Sequence, residues 1–242
     1  MPGLLAVFGY GLITALATGL GALPFAVVRR VSAQTVAYAN ALASGLMLGA
    51  SFGLVAEGTV LGNWQTVIGA VIGVTFILVT QILLKRHNVE FGRIRGAGAR
   101  RMVLMLVVMT VHSFAEGVAV GVSFGGGMSL AVVIVVAIAV HNVPEGLAIT
   151  AVLRPQGTSV LACAGWSIVS SLPQPIMAVP AFLLVEAFQS ILPYGIGFAA
   201  GAMVFMVLVE LLPEAYGQGR RPRVAVLVSA TLLAMMLFQQ YL

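Results

Sequence analysis

Residues 102–153 read MVLMLVVMTVHSFAEGVAVGVSFGGGMSLAVVIVVAIAVHNVPEGLAITAVL. Two apolar runs, each near the roughly 20 residues that cross a bilayer, flank the triplet Gly125–Gly126–Gly127. His112 and Glu116 stand inside the first run, His141 and Glu145 inside the second. They are two of the chain's three histidines and two of its seven acidic residues, all of which are glutamate. Ionisable groups are costly inside a membrane, so their presence there points to binding.

On a helix, residues four apart share a face, so each imidazole points together with its own carboxylate. The glycine triplet predicts a tight turn and an antiparallel pair. Counted from Gly126, the first pair lies 14 and 10 residues away and the second 15 and 19. At about 1.5 Å per residue the two pairs reach similar depths near mid-membrane. Two imidazoles and two carboxylates suit Zn²⁺ and equally admit Fe²⁺, Mn²⁺, Co²⁺, Ni²⁺ or Cd²⁺. Two ionised glutamates neutralise one divalent cation. The lone Cys163 lies in an apolar run elsewhere and reads as a small buried hydrophobe. The residues thus point to a membrane transporter of divalent metal, for which metal and protons compete at the same ligand atoms.

The rest of the chain fits this setting. Hydrophobic residues make up 60% and charged residues 8%, against about 25% charged in a soluble domain. Eight apolar segments are expected, at about 3–28, 35–57, 63–84, 102–123, 129–153, 159–185, 190–212 and 224–242. The short connections leave room for one all-α transmembrane domain over residues 1–242. The net charge of +5 does not signal nucleic-acid binding, because its positions are confined. All 12 basic residues fall after segments one, three, five and seven: Arg29–Arg30; Lys85, Arg86, Arg93, Arg95, Arg100 and Arg101; Arg154; and Arg220, Arg221 and Arg223. Lys/Arg excess marks the cytoplasmic side, which puts both termini outside, in what is expected to be the cell (inner) membrane. The start MPGLLAVFGY lacks the basic n-region of a cleavable signal peptide.

ALASGLM at 41–47 echoes GFAAGAM at 197–203 in segments of opposite direction. Such an echo predicts inverted three-helix repeats, 1–3 and 6–8, around a central pair, 4–5. Gly45, Gly49 and Gly53 form a small face suited to close helix packing. Pro144 interrupts segment five and is expected to kink it, freeing a carbonyl near residue 140. Segment six carries a second interruption, SSLPQPIMAVP, with Pro173, Pro175 and Pro180 and with Gln174 between the first two; broken helices at matched depth point to a transport site. Glu210 and Glu214 lie towards the cytoplasmic end of segment seven, where they either receive an ion or cap the helix. Glu57 and Glu186 read as boundary residues near the outer surface, and His87 as a loop residue.

HSFAEG followed by HNVPEGLA, with the ELLPEA ending of segment seven, resembles the ZIP (Zrt/Irt-like) family of divalent-metal transporters, in its prokaryotic GufA-like branch. The resemblance covers nearly the whole chain and implies eight spans, outside termini and a homodimer. It implies that His112, Glu116, His141 and Glu145 form the primary metal site, with Met47 as an additional soft ligand. It also brings Asn142 and Gln174 to a second-metal position, together with Ser113. Only Asn142 is typical there; Gln174 stands where the family pattern has a glutamate, which removes a charge and weakens a second metal.

Two other classes fit the residues less well. A membrane-embedded zinc hydrolase would show HExxH; here the spacing is HxxxE, and both carboxylates are wanted as ligands. A passive bundle leaves the paired motifs without a role. The expectation is therefore a transporter rather than an enzyme, moving metal towards the cytoplasm.

Overall fold

A computed structural model of the chain describes residues 3–28, 32–86 and 97–240. The expectations placed on Arg29, Arg30, His87, Arg93 and Arg95 lie outside the described residues. Every extended element among the described residues is helical. Eight rods follow one another: α1 (Leu4–Val27), α2 (Ala33–Leu61), α3 (Asn63–Arg86), α4 (Ala97–Gly125), α5 (Met128–Leu153), α6 (Val160–Ala187), α7 (Gln189–Gln218) and α8 (Arg221–Gln240). All but α4 meet the length and apolarity of a membrane span over their described residues. The 29 residues of α4 extend about 43 Å at 1.5 Å per residue, long enough to cross as well. The protein is a multi-pass membrane protein.

Local chemistry accounts for the rod ends and for the hydroxyls inside them. Ser32 caps α2 by accepting the Thr35 amide at 3.1 Å, and Ser159 caps α6 by accepting that of Ala162 at 3.2 Å. Within the rods, Ser44, Ser51 and Thr14 turn their hydroxyls back onto the carbonyls of Asn40, Met47 and Gly11. Buried polar groups are costly unless paired, and this back-bonding lets a hydroxyl sit in apolar surroundings. Gly125 ends α4, and Gly127 begins the next rod with φ of 112°, a left-handed conformation that glycine adopts freely. The triplet thus makes the tight turn its sequence promised.

The packing repeats itself across the bundle. α2 pairs with α8 as α7 pairs with α3; α1 pairs with α5 as α6 pairs with α4; α2 touches α5 as α7 touches α4. Exchanging 1 with 6, 2 with 7, 3 with 8 and 4 with 5 therefore maps the main contacts onto themselves. Rods five apart in an alternating bundle run in opposite directions, so the relation is that of inverted repeats around α4 and α5. The small face of α2 sits on α8: a side chain added at Gly45, Gly49 or Gly53 would meet Thr231, Met235 or Gln239. Small residues allow such close approach where apolar lipid gives helices no hydrophobic reason to associate.

Of the two interruptions expected at prolines, the one in segment six is a break in the helix, whereas the segment carrying Pro144 stays helical. α5 continues helical through Pro144. The breaks lie in α6, between Val160–Ser171 and Pro173–Ala187, and in α7, where Val207–Leu211 forms a π-helical turn. A proline inside a rod removes one hydrogen bond without necessarily ending the helix, because neighbouring rods support the freed groups.

Candidate metal site

The site is built where α4 and α5 face each other below their glycine turn. His112, Glu116, His141 and Glu145 are all buried, and each offers one ligand atom within 4.8 Å of the others. Glu116 is the hub. Its Oε1 lies 2.5 Å from Nε2 of His141 and 3.1 Å from Nε2 of His112. Each ring is held from behind through its other nitrogen: His141 Nδ1 lies 3.0 Å from the Ala137 carbonyl, and His112 Nδ1 lies 3.0 Å from the Met206 sulfur. Ring nitrogens tied in this way leave Nε2 for the site, the arrangement by which metal-binding histidines are oriented.

Glu145 completes the set from the other side. Both of its oxygens are buried and lack any hydrogen-bond partner. An ionised carboxylate in that state is strongly disfavoured, so the chemistry of the donor set calls for a cation. A cavity of about 10 Å³ adjoins it, lined by His112, His141, Glu145, Met47 and Met206, with Met109 and Glu210 at its margin. That volume matches about one water-sized particle.

Asn142 and Gln174 form a chain of amides behind Glu116. Asn142 Nδ2 donates to the Thr14 carbonyl at 2.8 Å and to Gln174 Oε1 at 3.2 Å. Gln174 Nε2 in turn donates to Glu116 Oε2 at 2.5 Å. The break in α6 at Leu172 brings Gln174 there, and glycines make the space. A side chain at Gly11 of α1 or Gly117 of α4 would collide with the backbone of Gln174 and its proline neighbours. Ser113 is buried with its hydroxyl unpartnered.

The remaining acidic residues spread along the bundle. Glu210 sits in the π-helical turn, lines the same cavity, and accepts from Gln81 of α3 at 2.7 Å. Glu214 is exposed one turn further on, and Glu186 is exposed at the end of α6. Glu57 lines a separate cavity of about 530 Å³ near the α4–α5 turn, with Ser129, Gly126 and Gln239. Between the two cavities, Ala50 and Leu54 of α2 and Ile138 of α5 belong to one buried apolar cluster. The two cavities share no lining residue, and Glu210 lines the smaller one.

Sequence reasoning missed Met109, Met206 and the place of Glu210 on the cavity. A helical period would have found Met109, three residues before His112, and Met206, four before Glu210. The π turn had one signal: Pro213 lacks the N–H that would bond to residue 209, which loosens the preceding turn. Nothing local marks the Thr14 carbonyl, which arrives from a distant rod.

Residues 87–237 match the family model described as ZIP zinc transporter. A putative zinc transporter of Arabidopsis thaliana is 46% identical over 221 residues, covering 89% of this chain and 35% of that protein. The zinc transporter GufA of Myxococcus xanthus is 30% identical over 229 residues, covering 87% of this chain and 90% of its own length. The zinc transporter ZupT of Corynebacterium glutamicum is 33% identical over 240 residues, with 90% and 91% covered. The chain therefore spans about a third of the plant relative and nine-tenths of the two bacterial ones.

Proposed function

Because the chain belongs to the ZIP zinc transporter family, we propose that it carries divalent metal ions, zinc foremost, across the cell membrane towards the cytoplasm through the His112, Glu116, His141 and Glu145 site. The observation that carries this reading is the buried, unpartnered carboxylate of Glu145 beside a second carboxylate and two imidazoles whose ligand atoms lie within 4.8 Å. Together the two glutamates balance one divalent charge, which lowers the cost of holding the ion in a low-dielectric interior. Nitrogen and oxygen donors suit zinc and leave Fe²⁺, Mn²⁺, Co²⁺, Ni²⁺ and Cd²⁺ as further substrates. Met47, on the cavity wall, is a soft donor that favours the softer ions among them.

In this mechanism the ion sheds water on entering the site, and the four side chains replace part of its hydration shell. Release runs past Glu210, which borders the cavity on the side of the basic loops. Entry from the opposite side requires the apolar seal of Ala50, Leu54 and Ile138 to part, since a passage of that kind cannot stand open at both ends. Both termini face outwards in the cell (inner) membrane, on the strength of the positions of the Lys and Arg residues. A homodimer is the assembly that family membership favours.

The test is uptake into proteoliposomes loaded with a metal-sensitive dye and offered a panel of divalent ions. Inward zinc flux that saturates is the expected result. Metal-dependent turnover of a lipid or peptide without flux would instead favour the hydrolase reading, for which the relatives, named as zinc transporters, offer no support.

A further inference from the structure

We infer that the site holds one divalent ion at a time, and that Gln174 sets this limit by occupying the second oxygen of Glu116. The inference rests on the transport site proposed above and adds its capacity. A carboxylate can bridge two cations only if both of its oxygens face metal. In Glu116, Oε1 faces the two imidazoles, whereas Oε2 accepts the Gln174 amide at 2.5 Å. Gln174 is fully buried, and it is not free to turn its oxygen towards that carboxylate. Its Oε1 is already engaged by Asn142 Nδ2, which also donates to the Thr14 carbonyl. Turning Gln174 over would set its N–H against the Asn142 N–H and its oxygen against the Glu116 oxygen. The run from α1 through α5 and α6 thus fixes an N–H, the positive end of a dipole, where a second cation would need an acceptor.

Charge leads to the same conclusion. Two carboxylates offset one divalent ion; the further carboxylate on the cavity, Glu210, is not among the groups behind Glu116, which are Ser113, Asn142 and Gln174, so a second ion there would be poorly compensated. The oxygens left over behind Glu116 are neutral. Ser113 Oγ and Asn142 Oδ1 are both buried and unpartnered, so donor atoms for a second ion are present while the charge is missing. Gln174 is accordingly a positioning residue for the carboxylate and the determinant of stoichiometry. It is not itself a ligand.

The experiment counts ions in the full chain, purified in detergent, by equilibrium dialysis against zinc. Wild type is compared with Glu116→Ala, which removes the carboxylate that both ions would share, so that sites elsewhere on the protein cancel. The expected difference is one zinc per chain, and a difference of two overturns the inference. A difference of zero contradicts the underlying transport site rather than its capacity. Gln174→Glu supplies the missing charge beside the two idle oxygens, and the difference from its own Glu116→Ala double variant should rise to two. If Gln174→Glu remains folded by size exclusion and still shows one, the role given to the amide is wrong. If that variant fails to fold, the wild-type count decides alone. ¹¹³Cd resonances, one in wild type against two, provide an independent count.

Discussion

Nε2 of His141, on α5, approaches Oε1 of Glu116, on α4, to 2.5 Å, and the same oxygen lies 3.1 Å from Nε2 of His112. One carboxylate oxygen therefore serves both imidazoles at the point where the two rods face each other. The two ring nitrogens and the shared oxygen thus converge on one point, where nitrogen and oxygen donors of a single ion are wanted.

X-ray absorption at the zinc edge should accordingly find nitrogen and oxygen neighbours at about 2.0–2.2 Å, including two imidazoles. His112→Ala and His141→Ala should each remove one imidazole from the pattern. A sulfur neighbour at about 2.3 Å from a thiolate would be incompatible with this donor set.

The amide of Asn142 stands one step behind the proposed ligands, donating to Gln174, which in turn donates to Glu116. Asn142→Ala is expected to weaken zinc binding by about 10- to 100-fold, the usual cost of losing an outer partner. Zinc titration of the folded variant is the measurement. An unchanged affinity would mean that the amide chain serves packing alone.

Acid should weaken binding. Zinc takes histidine as the neutral ring and glutamate as the carboxylate, so protons and metal compete for the same atoms. Apparent zinc affinity is expected to fall steadily from pH 8 to pH 5. Affinity that stays level across that range would rule out the competition.

The crossing of α1 and α5 depends on Gly146, next to Glu145, because a side chain there would run into the Thr18 carbonyl. Gly146→Val should destabilise the protein by about 1–3 kcal/mol or more, as overpacking does. Gly165 meets nothing within 4 Å, so Gly165→Ala should leave stability unchanged or raise it by up to about 1 kcal/mol. Thermal unfolding in detergent separates the two, and equal midpoints would refute the packing argument.

The eight-rod architecture is legible in the sequence because lipid imposes strong rules: long apolar runs, charges gathered in alternate loops, and glycine at the turn. The pairing of His112 with Glu116 and of His141 with Glu145 is equally legible, since i,i+4 spacing and equal distance from Gly126 are both local facts. The inverted repeat leaves only a short echo at 41–47 and 197–203, because symmetry of packing needs small residues at crossings rather than identical ones. Pro144 alone does not tell whether the helix ends there, and α5 continues through it. The Thr14–Asn142–Gln174–Glu116 chain is invisible beforehand, for it joins four rods whose relative placement no local pattern encodes.

The central claim is that four side chains on α4 and α5 hold the transported ion. Its most direct test is radioactive zinc uptake by proteoliposomes carrying wild type or one of His112→Ala, Glu116→Gln, His141→Ala and Glu145→Gln, reconstituted in equal amounts and orientation. The account expects each substitution to cut uptake at least tenfold, with Glu57→Gln, on the separate cavity near the α4–α5 turn, retaining most of it. Wild-type rates in the four substituted proteins would contradict it.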